Sequence, residues 1–152
     1  MHETTVTVVG NVATKPEFRD AGRAPSVRFR LASTARRFDR ERGSWVDGAT
    51  SFYTVWAWRG LAHNVTACVE RGEPLLVHGR LRVHTYEHDG RRSADAVIDA
   101  IAIGHDMARG TSAWVRSAPL PADATGVPPG TPAHRSAAPP VPVPAPESVP
   151  TG

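Results

Sequence analysis

The sequence predicts an all-β domain with one short helix, followed by a disordered tail. Apolar and polar residues alternate over residues 26–33 and 75–87, which is the pattern of β-strands that bury one face. Apolar residues recur at helical spacing over residues 61–69. Strand-forming segments therefore lie on both sides of a single helix.

The composition changes sharply towards the C-terminus. Eleven of the fourteen prolines lie between Pro119 and Pro150, mixed with alanine, serine, threonine and glycine. A segment with so few large apolar residues cannot bury enough surface to offset its ordering entropy. We therefore predict a folded domain over residues 1–109 and a disordered Pro/Ala-rich tail over residues 110–152.

The first two strands are predicted at residues 4–9 and 26–33. The first is rich in β-branched residues and ends at a Gly-Asn turn signal. In the second, three apolar residues face inward and two arginines face outward: Val27, Phe29 and Leu31 against Arg28 and Arg30. The second strand should therefore have one wet, basic side.

Residues 36–50 show no regular period. They carry four arginines, three acidic residues and two glycines, with Phe38 and Trp45 among them. We predict a long mobile loop here, and loops of this length without structure of their own are often functional.

The third strand is predicted at residues 51–60 and has an aromatic face. Side chains of a strand point alternately to opposite faces. Phe52, Trp56 and Trp58 therefore share one face with Thr54. The opposite face carries Tyr53, Val55 and Ala57.

A short amphipathic helix and two further strands complete the domain. The helix ends at Arg71-Gly72, and Cys68 lies on its apolar face, where we expect a small buried residue. The next strand turns at Asp89-Gly90 and returns over residues 96–103. Three strands, one helix and two strands form the order of the OB fold, a five-stranded Greek-key barrel.

The arginines of the predicted domain are placed as on a polyanion-binding surface. The chain has a net charge of +3, and its arginines lie in or beside the predicted strands and loop. Those that we assign to phosphate contacts are Arg28, Arg30, Arg36, Arg37, Arg80 and Arg82. The alternative is a set of solvated arginines that only keep the protein soluble.

The aromatic strand has two explanations. The rings either form the core or a subunit contact, as large aromatic residues often do, or they are platforms for unpaired bases. The interior of a small barrel suits Val55 and Ala57 better than two indoles. We therefore predict a surface for single-stranded nucleic acid, in which Tyr86 lies beside arginines on the fourth strand.

Three segments carry a resemblance to a known family. They are V-G-N-V-A-T-K-P-E-F-R at 9–19, R-F-R-L-A-S-T at 28–34, and G-L-A-H-N-V-T-A-C-V-E-R-G-E-P-L-L-V-H-G-R-L-R at 60–82. They resemble the bacterial single-stranded DNA-binding protein (SSB) family over nearly the whole predicted domain. The resemblance implies a protein that binds and protects single-stranded DNA in replication, recombination or repair.

The resemblance implies four base-stacking positions, which correspond to Phe38, Phe52, Trp58 and Tyr86. Tyr86 replaces the tryptophan of well-known members, and Phe38 is likewise smaller. Trp56 falls where many members carry an aliphatic residue. We include Trp56 among the DNA-binding residues because it shares a face with Phe52 and Trp58.

The resemblance also implies a homotetramer around which DNA wraps. Members that recruit replication and repair enzymes end in a short acidic tip closed by Pro-Phe. This chain ends in P-E-S-V-P-T-G, with one acidic residue. We therefore expect a paralogue that coats DNA and does not recruit partners through such a tip.

Other classes of function lack support in the sequence. A single cysteine and the absence of a leader or membrane segment predict a cytoplasmic, nucleoid-associated protein. We expect no cofactor. We also expect no metal site, since His84 and His88 on one strand would lie well over ~10 Å apart, too far to share an ion. No catalytic motif occurs. A single-stranded RNA binder and an OB-fold nuclease remain the alternatives.

Overall fold

The computed structural model describes residues 2–118, and most of these residues lie in β-strands. The elements are β1 (Thr4–Val12), β2 (Glu17–Arg19), β3 (Ser26–Asp39), β4 (Ser44–Trp58), α1 (Arg59–Cys68), β5 (Pro74–His88) and β6 (Arg91–His105). Residues 111–118, at the start of the predicted tail, are exposed and contain no helix or strand. The rest of the predicted tail, including the segment without an acidic tip, lies outside the described residues.

The strands form one sheet that closes on itself. Its order is β1-β5-β6-β4-β3-β2, and β1 also pairs with β3 at Asn11 and Val12. This closure makes a barrel of β1, β5, β6, β4 and β3, with the short β2 added to the outer edge of β3. The predicted five-stranded OB-fold barrel is confirmed, and β2 is an element that sequence reasoning missed.

The inward faces of the barrel strands follow the predicted alternation. The buried side chains are Val27, Phe29 and Leu31 on β3, Val55 and Ala57 on β4, Leu75 and Val77 on β5, and Val12 and Ile98 on β1 and β6. The helix packs Ala62 and Val65 against this core. A stripe of apolar residues thus joins the helix to the barrel, as its spacing predicted.

The prediction of a mobile loop over residues 36–50 is wrong. β3 and β4 continue beyond the barrel and remain paired as far as Asp39 and Ser44, so residues 35–49 form a β-hairpin, the first arm. At its tip, the Asp39 carboxylate accepts hydrogen bonds from the backbone N–H groups of Glu41 and Arg42. Both faces of the arm are largely wet, so no buried face imposed an alternating pattern on its sequence.

A second arm, residues 83–95, is built from the far ends of β5 and β6. Its turn is at Asp89-Gly90, as predicted, and both residues have a positive φ, at 51° and 74°. The alternation of β5 puts Val83 on the same face as the buried residues Leu75 and Val77, yet Val83 is 59% exposed. β5 has left the barrel at this point, so its inward face no longer has a core to cover.

The prediction that Cys68 is buried is also wrong. Its side chain is exposed, and its Sγ donates to the carbonyl oxygen of Asn64. The helix ends at Cys68 and not at the predicted Arg71-Gly72, because the chain leaves helical geometry at Val69. It is Val69 that turns into the core. Partial burial, and secondarily the charge of Glu73, raise the pKa of the Cys68 thiol.

Candidate nucleic-acid interface

The aromatic side chains of β4 stand on the outer wall of the barrel. Phe52 and Trp58 are 50% and 46% exposed, and Trp56 is half-buried. Val55 and Ala57, which alternate with them, are fully buried. The small side chains fill the interior, and the rings are left on the surface.

The rings contact each other and the neighbouring arginines. Trp56 and Trp58 stack with their centroids 5.7 Å apart and their planes 13° from parallel. Across the sheet, the Cζ atom of Arg28 lies 5.6 Å from the centroid of Trp56, and that of Arg30 lies 5.5 Å from the centroid of Phe52. Such cation–π contacts contribute roughly 0.5–1 kcal/mol at exposed sites and hold each guanidinium beside a ring.

Backbone pairing extends this surface across the barrel. Arg28 pairs with Trp56, Trp56 with Asp99, and Asp99 with Arg80. These residues form one row across β3, β4, β6 and β5. Arg80 is exposed at the end of this row, and Arg82, two residues further along β5, points to the same side. The arginines of β3 and β5 therefore flank the rings of β4.

The remaining predicted residues lie on the two arms. Phe38 and Arg36 share a face of the first arm, whereas Arg37 points to its other face. Tyr86 lies on the second arm and is 46% exposed. The structure thus groups the predicted residues into a central wall and two projections, with Arg37 turned away from Phe38.

Trp45 is a surface residue to which sequence reasoning gave no role. It lies directly across from Phe38 on the first arm, with the ring centroids 5.7 Å apart and the planes at 69°. Its side chain is 61% exposed. A tryptophan within a charged, polar segment was the available signal of a surface role. Its contact with Phe38 could not be predicted, because it depends on how the two strands of the hairpin pair.

Carboxylates accompany most of the arginines on this surface, which sequence reasoning also missed. The pairs are Arg28 with Glu17 at 2.8 Å, Arg36 with Asp47 at 3.5 Å, Arg80 with Glu3 at 2.8 Å, and Arg82 with Asp99 at 2.8 Å. Within residues 2–118, Arg30 and Arg37 have no such partner. Exposed pairs of this kind contribute only about 0.2–1 kcal/mol, so a phosphate can exchange with the carboxylate.

Comparison with known proteins identifies the family. Residues 3–105 match the Single-strand binding protein family. The chain belongs to this family. It is 49% identical to Single-stranded DNA-binding protein 1 of Streptomyces coelicolor, with all of both chains covered, and 53% identical to Single-stranded DNA-binding protein 2 of Streptomyces avermitilis, with 76% of this chain and 73% of the other covered.

Solved structures of SSB proteins share the fold. A small single-stranded DNA-binding protein from Streptomyces coelicolor superposes with a TM-score of 0.67 at 53% identity, covering 72% of this chain and all of the other. The second single-stranded DNA-binding protein of Mycobacterium smegmatis gives a TM-score of 0.58 at 29% identity, covering 76% of this chain and all of the other. The resemblance to the SSB family read from the sequence is confirmed.

The match to the SSB family ends where β6 ends, and a polar network anchors the chain at this point. His105 forms hydrogen bonds of 2.9 Å to Glu73 and to Ser112. Burial by itself would raise the pKa of Glu73, but the hydrogen bonds from His105 and from the backbone N–H of Glu70 outweigh it, and the pKa is lowered. This network connects the helix-to-β5 turn with the segment after the barrel.

Two further features of residues 2–118 concern other kinds of site. No group of three His, Cys, Asp or Glu side chains in this range is arranged to hold a metal ion. Within the same residues, no helix has the length and hydropathy needed to span a membrane.

Proposed function

We propose that this SSB-family protein binds and protects single-stranded DNA without sequence preference. The observation that carries this proposal is the outward aromatic row of β4, flanked by arginines on β3 and β5. The relatives in two Streptomyces species are named single-stranded DNA-binding proteins. The activity is binding, and it requires no cofactor.

Base stacking supplies the sequence-independent part of the affinity. Every base has a π-face, so a stacked base contributes roughly 1–3 kcal/mol whatever its identity. We assign stacking to Phe38, Phe52, Trp58 and Tyr86, which all have exposed rings. Trp56 is half-buried and stacks on Trp58. We therefore assign Trp56 two roles in DNA binding: it supports the Trp58 ring, and its exposed part contacts the DNA directly.

The arginines bind the phosphates. Neutralised phosphates release condensed counterions, so log K should fall with log salt by about 0.7 for each phosphate contacted on a single strand. Arg28 and Arg30 are placed to bind the DNA backbone on one side of the β4 rings, and Arg80 and Arg82 are placed to bind it on the other side. Arg36 extends the basic surface along the face of the first arm that carries Phe38, and Arg37 adds a positive charge on the opposite face of the arm.

A homotetramer is the assembly that we propose. Within residues 2–118, β1 pairs with β5 along its length and with β3 only at Asn11 and Val12, so the edge of residues 4–10 is open to another strand. The exposed apolar side chains of Val9 and Leu76 lie side by side on the adjoining face. Joining several barrels raises the avidity for one long strand without new kinds of contact.

We place the protein in the cytoplasm at the nucleoid, in replication, recombination or repair, because these processes expose unpaired DNA.

The affinity for oligo(dT) of a Trp58→Ala variant tests the proposed binding. It should fall by about 1–3 kcal/mol, the contribution of one stacked base, and the barrel should stay folded because the ring is on the surface. Fluorescence titration measures the affinity, and far-UV circular dichroism checks the fold.

Trp114→Ala is the matched control, because Trp114 is 80% exposed and lies beyond β6. The control should bind as the unaltered protein does. A folded Trp58→Ala variant with undiminished affinity would contradict the assignment of this ring. Competition with a matched RNA oligomer separates the RNA-binding alternative, since only RNA offers a 2′-hydroxyl.

A further inference from the structure

The first arm presents two large rings that contribute nothing to the barrel core. Trp45 is 61% exposed and Phe38 is 50% exposed. An edge-to-face contact between them leaves at least one broad face of each ring uncovered. Two aromatic rings on a solvated hairpin stabilise a fold weakly, so their exposure calls for a partner that binds flat apolar faces.

A β-bulge puts the two rings on the same face. In the barrel, β3 and β4 pair so that Phe29 lies across from Val55 and Thr34 from Thr50. Beyond Thr34 the register shifts, because β4 has one more residue than β3 before the next pair, Arg36 and Asp47. A slip of one residue moves a side chain to the opposite face of its strand.

This shift in register determines the face of the arm to which Trp45 points. With the register of the barrel continued, Phe38 would lie across from Val46, and Trp45 would point to the other face of the arm. With the bulge, Phe38 lies across from Trp45 and Val46 across from Arg37. Bulges often re-aim side chains next to functional sites.

A glycine accommodates this bulge. Gly48 and Ala49 lie opposite Ala35, and a Cβ atom at position 48 would be 3.1 Å from the carbonyl oxygen of Ala35. The close approach of the two strands therefore favours a residue without a side chain at this position.

Arginines outnumber carboxylates around the paired rings, because residues 36–47 carry four arginines and three acidic residues. Arg36 lies two residues before Phe38 on the same face and is 54% exposed, although it pairs with Asp47 at 3.5 Å. Arg40 and Arg42 are exposed at the tip of the arm, where Arg42 lies 3.8 Å from Asp39. Flat apolar faces among cations match an unpaired nucleotide, which combines a π-face with a phosphate. An acidic protein segment would use the cations but offers no flat face to the indole.

We propose that Trp45 is a further base-stacking residue, which together with Phe38 forms a second base-binding site on the first arm. This inference rests on the proposed binding of single-stranded DNA. Trp45 lies seven residues before Phe52 on β4, or roughly 23 Å along an extended strand. The site therefore extends the path of the DNA outward from the barrel wall.

Three substitutions at one position test this role. Trp45→Ala should weaken binding of oligo(dT) by about 5- to 150-fold, the equivalent of roughly 1–3 kcal/mol for one stacked base. Trp45→Leu keeps an apolar contact with Phe38 but has no flat face, and should be weakened to a similar degree. Trp45→Phe keeps a ring and should retain most of the affinity. Val46→Ala, on the other face of the arm, is the matched control and should bind normally.

The fluorescence of Trp45 provides a second readout. In a variant with Trp56, Trp58 and Trp114 replaced by phenylalanine, oligo(dT) should quench the emission of Trp45. Unchanged affinity of Trp45→Leu in a protein that Trp58→Ala weakens would overturn this inference and leave the proposed function standing. Failure of the unaltered protein to bind single-stranded DNA would overturn both.

Discussion

We predict that Glu17 competes with DNA for one of the arginines beside the aromatic row. Its carboxylate accepts a hydrogen bond from Arg28 Nη2 at 2.8 Å, and the same guanidinium lies over the ring of Trp56. A phosphate that binds Arg28 must displace or share this carboxylate. Glu17→Gln removes the negative charge and keeps the size of the side chain, so the variant should bind single-stranded DNA more tightly.

The size of the gain follows from the exposure of the pair. The side chains of Arg28 and Glu17 are 42% and 56% exposed, and pairs as exposed as this contribute about 0.2–1 kcal/mol. Releasing Arg28 from its partner should therefore raise the affinity for oligo(dT) by a factor of about 1.4 to 5. Because salt screens exposed charges, the gain should be larger at low than at high ionic strength.

Fluorescence titrations at two salt concentrations measure this gain, and Glu70→Gln supplies the control. Glu70 carries the same charge but has no ion-pair partner among residues 2–118. Its substitution should therefore change the affinity less. Competition at Arg28 would be refuted if Glu17→Gln bound no more tightly than the unaltered protein, or if Glu70→Gln gained as much.

Two further predictions concern the stability of the fold. The lowered pKa of Glu73 means that its ionised form stabilises the protein above its ordinary pKa of about 4.3, and that this stabilisation is lost as the pH falls through the lowered value. Glu73→Gln should therefore lower the melting temperature at pH 7, and the difference should shrink as the pH falls below the ordinary pKa, whereas a loss independent of pH would exclude a role for the charge. A Cβ at position 79 would overlap the carbonyl oxygen of Asp99, so Gly79→Ala should destabilise the fold by about 1–3 kcal/mol in denaturant titrations. Gly104→Ala meets nothing within 4 Å, and an equal loss in this control would contradict the packing argument.

Elements with a buried face could be predicted from the sequence. Val27 and Phe29 on β3, and Val55 and Ala57 on β4, face inward as their alternation predicted. The aromatic residues between them consequently face outward. These features follow from local periodicity, because a strand that covers a core must alternate and a helix that does so must repeat near every fourth residue.

The arms depend on pairing that local pattern does not record. Residues 35–49 have solvent on both sides, so neither face required apolar residues, and the sequence resembles a loop. The bulge near Gly48 decides that Trp45 meets Phe38, and it is a property of two strands together.

The sequence by itself thus determined the class of fold, the direction of the side chains on the barrel wall and the family. Only the tertiary structure decided which carboxylate accompanies each arginine, that Cys68 is exposed, and that Trp45 joins the aromatic surface. The physical reason is that burial acts on each strand separately and leaves a period in its residues. Cross-strand register and ion pairing join residues distant in the chain, and they leave no such period.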